Sequence, residues 1–184
     1  MINTQTMKME VKTTIDIDVE SITRQLLSAN MMRMTFDSRW KNSPQGFGEL
    51  KVQVGCGRQA CHTRTAAKLV LDGCEYTNIM GETCVAKGMY INIGKIQYAK
   101  LFRDMMSEIE GDWIQRDPED QPLMIEQFKR EPFRGKTFDC DFIVLDQGMW
   151  GMRTDTNPYD FVGALMARVY EGHFPNLKSI LIMQ

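Results

Sequence analysis

Between Cys56 and Thr63 the chain reads CGRQACHT, flanked by an apolar run ending at Val54 and a helix-like run beginning at Thr65. Phosphate-binding loops of the form Gly-x-x-x-x-Gly-Lys-Ser/Thr occupy such a join: glycines let the backbone wrap phosphates, amides at the helix start donate to them, lysine neutralises charge and the hydroxyl ligates magnesium. In that frame Cys56 and Cys61 stand at the two glycines, His62 at the lysine and Thr63 at the hydroxyl. A cysteine held at positive φ costs about 1–2 kcal/mol relative to glycine. An imidazole with an ordinary pKa near ~6.5 is mostly uncharged at pH 7. The outline of the loop is kept while its grip on nucleotide is expected to be weak. If nucleotide is held, Gly57, Arg58, Gln59, His62, Thr63 and Arg64 are the residues expected around it, with protonated His62 or the arginines supplying the missing charge. The plainer alternative is a glycine turn entering a helix.

A second chemical element lies far along the chain. FIVLDQ, Phe142 to Gln147, has the four apolar residues and terminal Asp of a magnesium-binding strand. Such strands hold the ion through the Asp, and a following Glu polarises the attacking water. Here that position is Gln147, and an amide cannot act as a general base, so no catalytic residue is assigned. ATP and magnesium are possible ligands, with Thr63 and Asp146 as the metal pair. Zinc is a separate possibility: Cys56, Cys61 or His62, Cys74 and Cys84 could form a tetrahedral set, although the gap between the last two fits poorly. Asp37 with Glu49 and Lys51 has the residue types of a metal-dependent nuclease. Such loose spacing arises often by chance, and alternating charge on the polar face of a strand is the better reading of Glu49 and Lys51. Cys140 and the methionines, Met31, Met32 and Met34 among them, are expected to fill the core, and His173 to cap a helix or lie at the surface. GKT at Gly135–Thr137 precedes a strand and is not a phosphate loop.

The elements that must position these groups are readable from periodicity. Met9, Val11, Thr13, Ile15, Ile17 and Val19 alternate as in an edge strand; Asp18 caps a helix with Ile22, Leu26 and Leu27; Met31–Phe36 reads as a second strand. Glu49–Val54 is expected as a central strand leading through Gly55 and Gly57 to a helix that Asp72 and Gly73 stop. After a connection containing Cys74 and Cys84, MYINIG is a strand, and Ile96, Ala99, Phe102, Met106, Ile109 and Trp113 share one helical face. LMIEQFKRE, from Leu123, reads as a short helix. Phe142–Asp146 is a buried parallel strand, Asn157 and Pro158 start a helix ending at Gly172, and LKSILIMQ is the final strand. Strands alternating with helices predict a three-layer α/β domain with a mostly parallel central sheet.

In order and spacing these pieces resemble the ATPase core of phage large terminases and related helicase-type, RecA-like P-loop proteins, over about residues 45–184. GRQACHTRTAAKLVL resembles their phosphate loop and first helix, MYINIGKIQYAKLFRDMMSEI their second strand and following helix, and FRGKTFDCDFIVLDQ the approach to their acidic strand. LKSILIMQ resembles the next strand, and Gln45 their base-reading glutamine. The resemblance implies P-loop topology with an extra N-terminal edge strand, as one domain: residues 1–44 an extension, 45–184 the core. It also implies a phage-encoded protein. Both loop glycines, the lysine and the catalytic Glu are replaced, and the chain stops where a terminase continues into its nuclease. The expected role is thus a non-hydrolysing binding or assembly factor, the rival an NTPase with an unusual loop, and a third class a zinc-stabilised interaction module.

Composition sets outer bounds. The 184 residues are 43% hydrophobic and 25% charged with a net charge of −2, which excludes a global basic field for nucleic acid. Nucleic-acid contact would need a local patch, and a protein or nucleoprotein assembly is the expected partner. No run is apolar enough to span a bilayer, so no membrane partner is expected. The start lacks a secretory h-region, so the expected location is the cytoplasm, with the five Cys kept as thiols.

Overall fold

A computed structural model describes residues 18–36, 46–55, 62–92, 102, 104–109, 123–124, 136–146 and 158–183. The expected edge strand of Met9–Val19 lies outside them as far as Ile17, and its last residue, Val19, is helical instead. Helix α1 (Val19–Phe36) opens at Asp18, whose side-chain oxygen accepts from the Ser21 amide at 3.1 Å, the expected N-cap. Thr23, Leu27, Met31 and Met34 are buried along one face at helical spacing. Met31–Phe36 is therefore not a second strand, because Met31 and Met34 continue the stripe begun at Leu27. Short apolar runs fit either period. Ile22 and Leu26 lie on this helix as expected, on its exposed side.

Helix α2 (Gly46–Leu50) runs directly into β1 (Lys51–Val54), so Glu49 is helical and does not share a strand face with Lys51. Glu49 is taken up by Arg33 of α1, whose Nη1 donates to its carboxylate at 2.5 Å; Asp37 lies outside the described residues. Helix α3 (His62–Asp72) follows β1 and is closed by Gly73 at φ 73°, whose amide donates to Leu69 O at 3.0 Å. Between α3 and β4 (Gly88–Asn92), the expected plain connection is an antiparallel hairpin, β2 (Cys74–Thr77) with β3 (Thr83–Ala86), packed on α1. Asn78 makes its turn by accepting from the amides of Met80 and Glu82.

Helix α4 (residues 104–109) buries Met106 beside Phe102, whose ring stacks on Tyr90 at 3.6 Å between centroids. β5 (Leu123–Met124) replaces the start of the expected short helix, because both residues pair with Ile91 and Asn92 at the sheet edge. β6 (Phe142–Asp146), α5 (Pro158–Tyr170) and β7 (Ser179–Met183) lie where periodicity puts them; α5 gives way to a turn in which Gly172 has φ 84°.

The main sheet has the order β1-β7-β6-β4-β5, and every neighbouring pair is parallel. Among the described residues β1 is at an edge of the sheet, not central as expected. Side chains of α1, α3 and α4 share one core with Val52, Val54, Tyr90, Val144 and Leu181. Side chains of α5 share a second core, on the other face, with Ile91, Ile143, Leu145, Ile180 and Ile182. The chain is thus α/β, a parallel sheet between helices plus a small antiparallel sheet. Residues 142–145 and 179–183 are buried on both faces, which explains their continuous apolar runs.

The amino ends of three strands are tied by Asp141. Its carboxylate accepts from the Lys87 amide at 2.9 Å and from Lys178 Nζ, and its carbonyl accepts from the Lys178 amide at 2.7 Å. These contacts hold the starts of β4, β6 and β7 level. Lys178 Nζ also sits 5.4 Å from the centroid of the Tyr76 ring, which links the hairpin to this edge.

Two predictions follow from this packing. A Cβ at Gly88 would lie 2.4 Å from the fully buried Phe142 ring, so Gly88→Ala is expected to destabilise the protein by about 1–3 kcal/mol in urea denaturation. Burial alone would lower the Lys178 pKa, but the hydrogen bond and charge of Asp141, with Tyr76, outweigh it and raise it. A raised lysine pKa stabilises the fold fully below the unfolded value of about 10.4, and the effect is lost as pH rises through the folded value. The destabilisation caused by Lys178→Met, followed by denaturation between pH 7 and 11, is expected to be constant at first and to shrink at the alkaline end.

Candidate functional site

In a parallel sheet every strand ends at the same edge, and ligand crevices open where neighbouring strands send their connections to opposite faces. Here the chain leaves β1 for α3 on one face and leaves β6 for α5 on the other. Strand β7 lies between them. Its Met183 is in register with Val54 of β1 and with Asp146 of β6. Two inter-strand spacings separate Val54 from Asp146, or roughly 10 Å. Gly55, just past β1, and the end of β6 therefore lie at the same edge of the sheet.

Helix α3 begins at His62, so Thr63 and Arg64 stand in its first turn at this edge. Thr63 is half-buried and Arg64 exposed. No acidic residue occupies that turn, so the positive end of the helix dipole is not offset there. Ala66 and Ala67, fully buried, let the helix lie close to the sheet beside β4 and β6. Cys56, Gly57, Arg58, Gln59 and Cys61, together with Gln147 and Gln45, lie outside the described residues. The structure thus brings the backbone of Asp146 to the edge where α3 begins, and it fixes Thr63 and Arg64 on that helix.

The cysteines are distributed differently. Eleven helical residues separate Cys61 from Gly73, a rise of roughly 16 Å, so Cys74 stands at the far end of α3 from the loop. Its thiol donates to Arg24 O at 3.6 Å, and burial raises its pKa. Cys84 is half-buried on the same hairpin face, next to Asn78 Nδ2 at 3.5 Å. Of the expected zinc set, Cys74 and Cys84 thus share the hairpin, while Cys56 and Cys61 lie outside the described residues. Among the described residues no three His, Cys, Asp or Glu side chains are gathered for a metal. Cys140 is core, as expected, and burial pushes its thiol pKa well up.

His173 caps α5 as expected, its amide donating to Arg168 O at 3.1 Å just past Gly172, and its half-buried ring does more. Its Nδ1 lies 2.7 Å from Lys136 O and its Nε2 3.4 Å from Glu171, so the ring ties the end of α5 to the segment entering β6. Asp141 and the β2–β3 hairpin were the features sequence reasoning missed. The alternation of Cys74 and Tyr76, with Asn78 to Gly81 as a turn, was the available signal for the hairpin. Nothing local marks Asp141, since its partners come from distant strands.

Among the described residues no helix is long and apolar enough to cross a membrane. The chain matches no known protein family, no curated protein and no solved structure.

Thiol chemistry offers a direct check of the cysteine placement. In the native protein Cys84 is expected to be alkylated about tenfold or more faster than Cys74 and Cys140, since burial suppresses the thiolate of the latter two. Prior treatment with EDTA should leave the pattern unchanged when peptides are mapped by mass spectrometry.

Proposed function

We propose that this chain is a phosphate-loop scaffold, on the plan of terminase and helicase-type ATPases, whose cradle no longer hydrolyses nucleotide and which acts as a binding or assembly factor for a protein or nucleoprotein partner. The observation that carries the reading is the shared register of Val54 and Asp146 with Met183. It leaves the ends of β1 and β6 about two strand spacings apart, a separation that supports a triphosphate and its metal lying between the segments that follow them. Against catalysis stand the residue types themselves. Cysteines replace the glycines that admit phosphate, His62 replaces a permanent charge, and Gln147 replaces the base. A scaffold that keeps its strand order while losing its reactive groups retains surfaces, and surfaces are what an assembly factor uses. The reading implies a cytoplasmic, phage-encoded protein.

Purified protein incubated with ATP and magnesium is expected to release phosphate at the background rate. Turnover that disappears in Asp146→Ala would instead establish the NTPase with an unusual loop, in which Thr63 and Asp146 hold magnesium. Calorimetry on the same samples is expected to give at most millimolar affinity for nucleotide.

A further inference from the structure

Helix α1 buries one face on the sheet and the hairpin and leaves an apolar stripe on the other. Ile22, Leu26, Met32 and Phe36 are 41, 45, 44 and 63% exposed. Lone exposed apolar residues are ordinary, but four large ones along one helix are not.

Their spacing says what fits them. Ile22 and Phe36 lie seven residues before and after Ala29, and Leu26 and Met32 three before and after it. Offsets of three and seven both return to the same helical face, so all five residues share one stripe centred on Ala29, itself exposed. When two copies of a helix cross antiparallel about a two-fold axis, a residue a given number of places before the axis meets the residue the same number after it in the other copy. An axis beside Ala29 thus sets Ile22 against Phe36 and Leu26 against Met32, twice over, with the smallest side chain where the backbones approach most closely. The stripe is thus self-complementary, each large side chain meeting an apolar one of the other copy.

Charge agrees. The cation on this surface, Arg33, is engaged by Glu49 of its own chain at 2.5 Å, so two copies meet without like-charge repulsion. The residue facing Arg33 across the axis is Gln25, a neutral hydrogen-bonding side chain. The area agrees as well. Eighteen helical residues span roughly 27 Å. Two such helix strips bury on the order of 1,000 Å² in total, at the lower limit for a specific, weak association.

We infer that the exposed stripe of α1 is the surface through which two copies of this chain pair, with their α1 helices antiparallel and crossing at Ala29. This holds whether or not the phosphate-loop reading does, since no residue of that loop takes part.

Sedimentation velocity across about 1 to 500 μM is expected to show a monomer–dimer equilibrium with a dissociation constant on the order of micromolar, as in weak associations at the small end of interface size. Leu26→Glu combined with Met32→Glu should weaken dimerisation at least ~100-fold while the protein stays folded by circular dichroism. Cysteine placement tests the geometry independently of that variant. In a Cys84→Ser background under mild oxidation, Ala29→Cys should form a disulfide-linked dimer. Gln25→Cys should not, because four residues from the axis the two positions are roughly 12 Å apart. A monomer throughout the concentration range overturns the inference. So does equal linking of both cysteine variants, which would mean parallel or random contact. So does a double-Glu variant whose only change is lower thermal stability as a monomer, which would mean the chain covers its own stripe.

Discussion

Strand β7 is the constraint on which the rest depends. It lies between β1 and β6, pairs with both, and buries Ser179 to Met183 on either face. A strand so placed must be apolar throughout, and both helical layers must be present to cover it. Its one polar residue is satisfied: Ser179 Oγ donates to Leu50 O at 3.2 Å and accepts from Asn30 Nδ2 at 3.0 Å. Those bonds join α1, the end of α2 and β7, so the N-terminal helix is fixed by the last strand. Because β7 sets the register of both neighbours, it also decides that Val54 and Asp146 end level.

The two edges of the sheet are built for different purposes. At the amino edge Asp141 ties three strands, and on the same face as α3 an ion cluster secures α1. Arg24 donates to Gly73 O at 2.6 Å and pairs with Glu20 and Asp72, while Lys68 reaches Glu20 at 2.8 Å. Burial would raise the Glu20 pKa, but Lys68 and Arg24 outweigh it and hold the carboxyl below its usual range. Each such surface pair is worth little alone, yet Arg24 also satisfies a carbonyl at the end of α3, a group the helix itself leaves unpaired. The carboxyl edge has no comparable lock among the described residues. There α3 starts without an acidic residue in its first turn, and β6 ends in Asp146.

What could be read from residues alone follows from how local each signal is. The strands at Phe142–Asp146 and Ser179–Met183 were legible because burial on both faces leaves an unbroken apolar run, and Asp18 and Gly172 mark helix ends by their own geometry. Met31–Phe36 was misread because six residues do not separate a period of two from one of 3.6. Leu123–Met124 was misread because its strand character comes from pairing with β4, a tertiary effect that propensity does not carry. The candidate site was half legible. The order of loop, acidic strand and final strand pointed to one sheet edge, but only pairing could show that β7 brings Val54 and Asp146 level. Of the cysteines, only the core position of Cys140 was legible from its apolar surroundings.

The bond between Leu50 and Ser179 spans 129 residues of sequence, and β1 pairs with β7 over a similar distance. Contacts this distant form late, after the entropy of closing the intervening chain has been met. During synthesis β1 therefore leaves the ribosome long before β7, its strand partner among the described residues, has been made. Until then Val52 and Val54 have only helices to pack on, so a nascent chain at that stage exposes strand edges that a chaperone can hold, and a message cut short before Ser179 yields a chain without that partner.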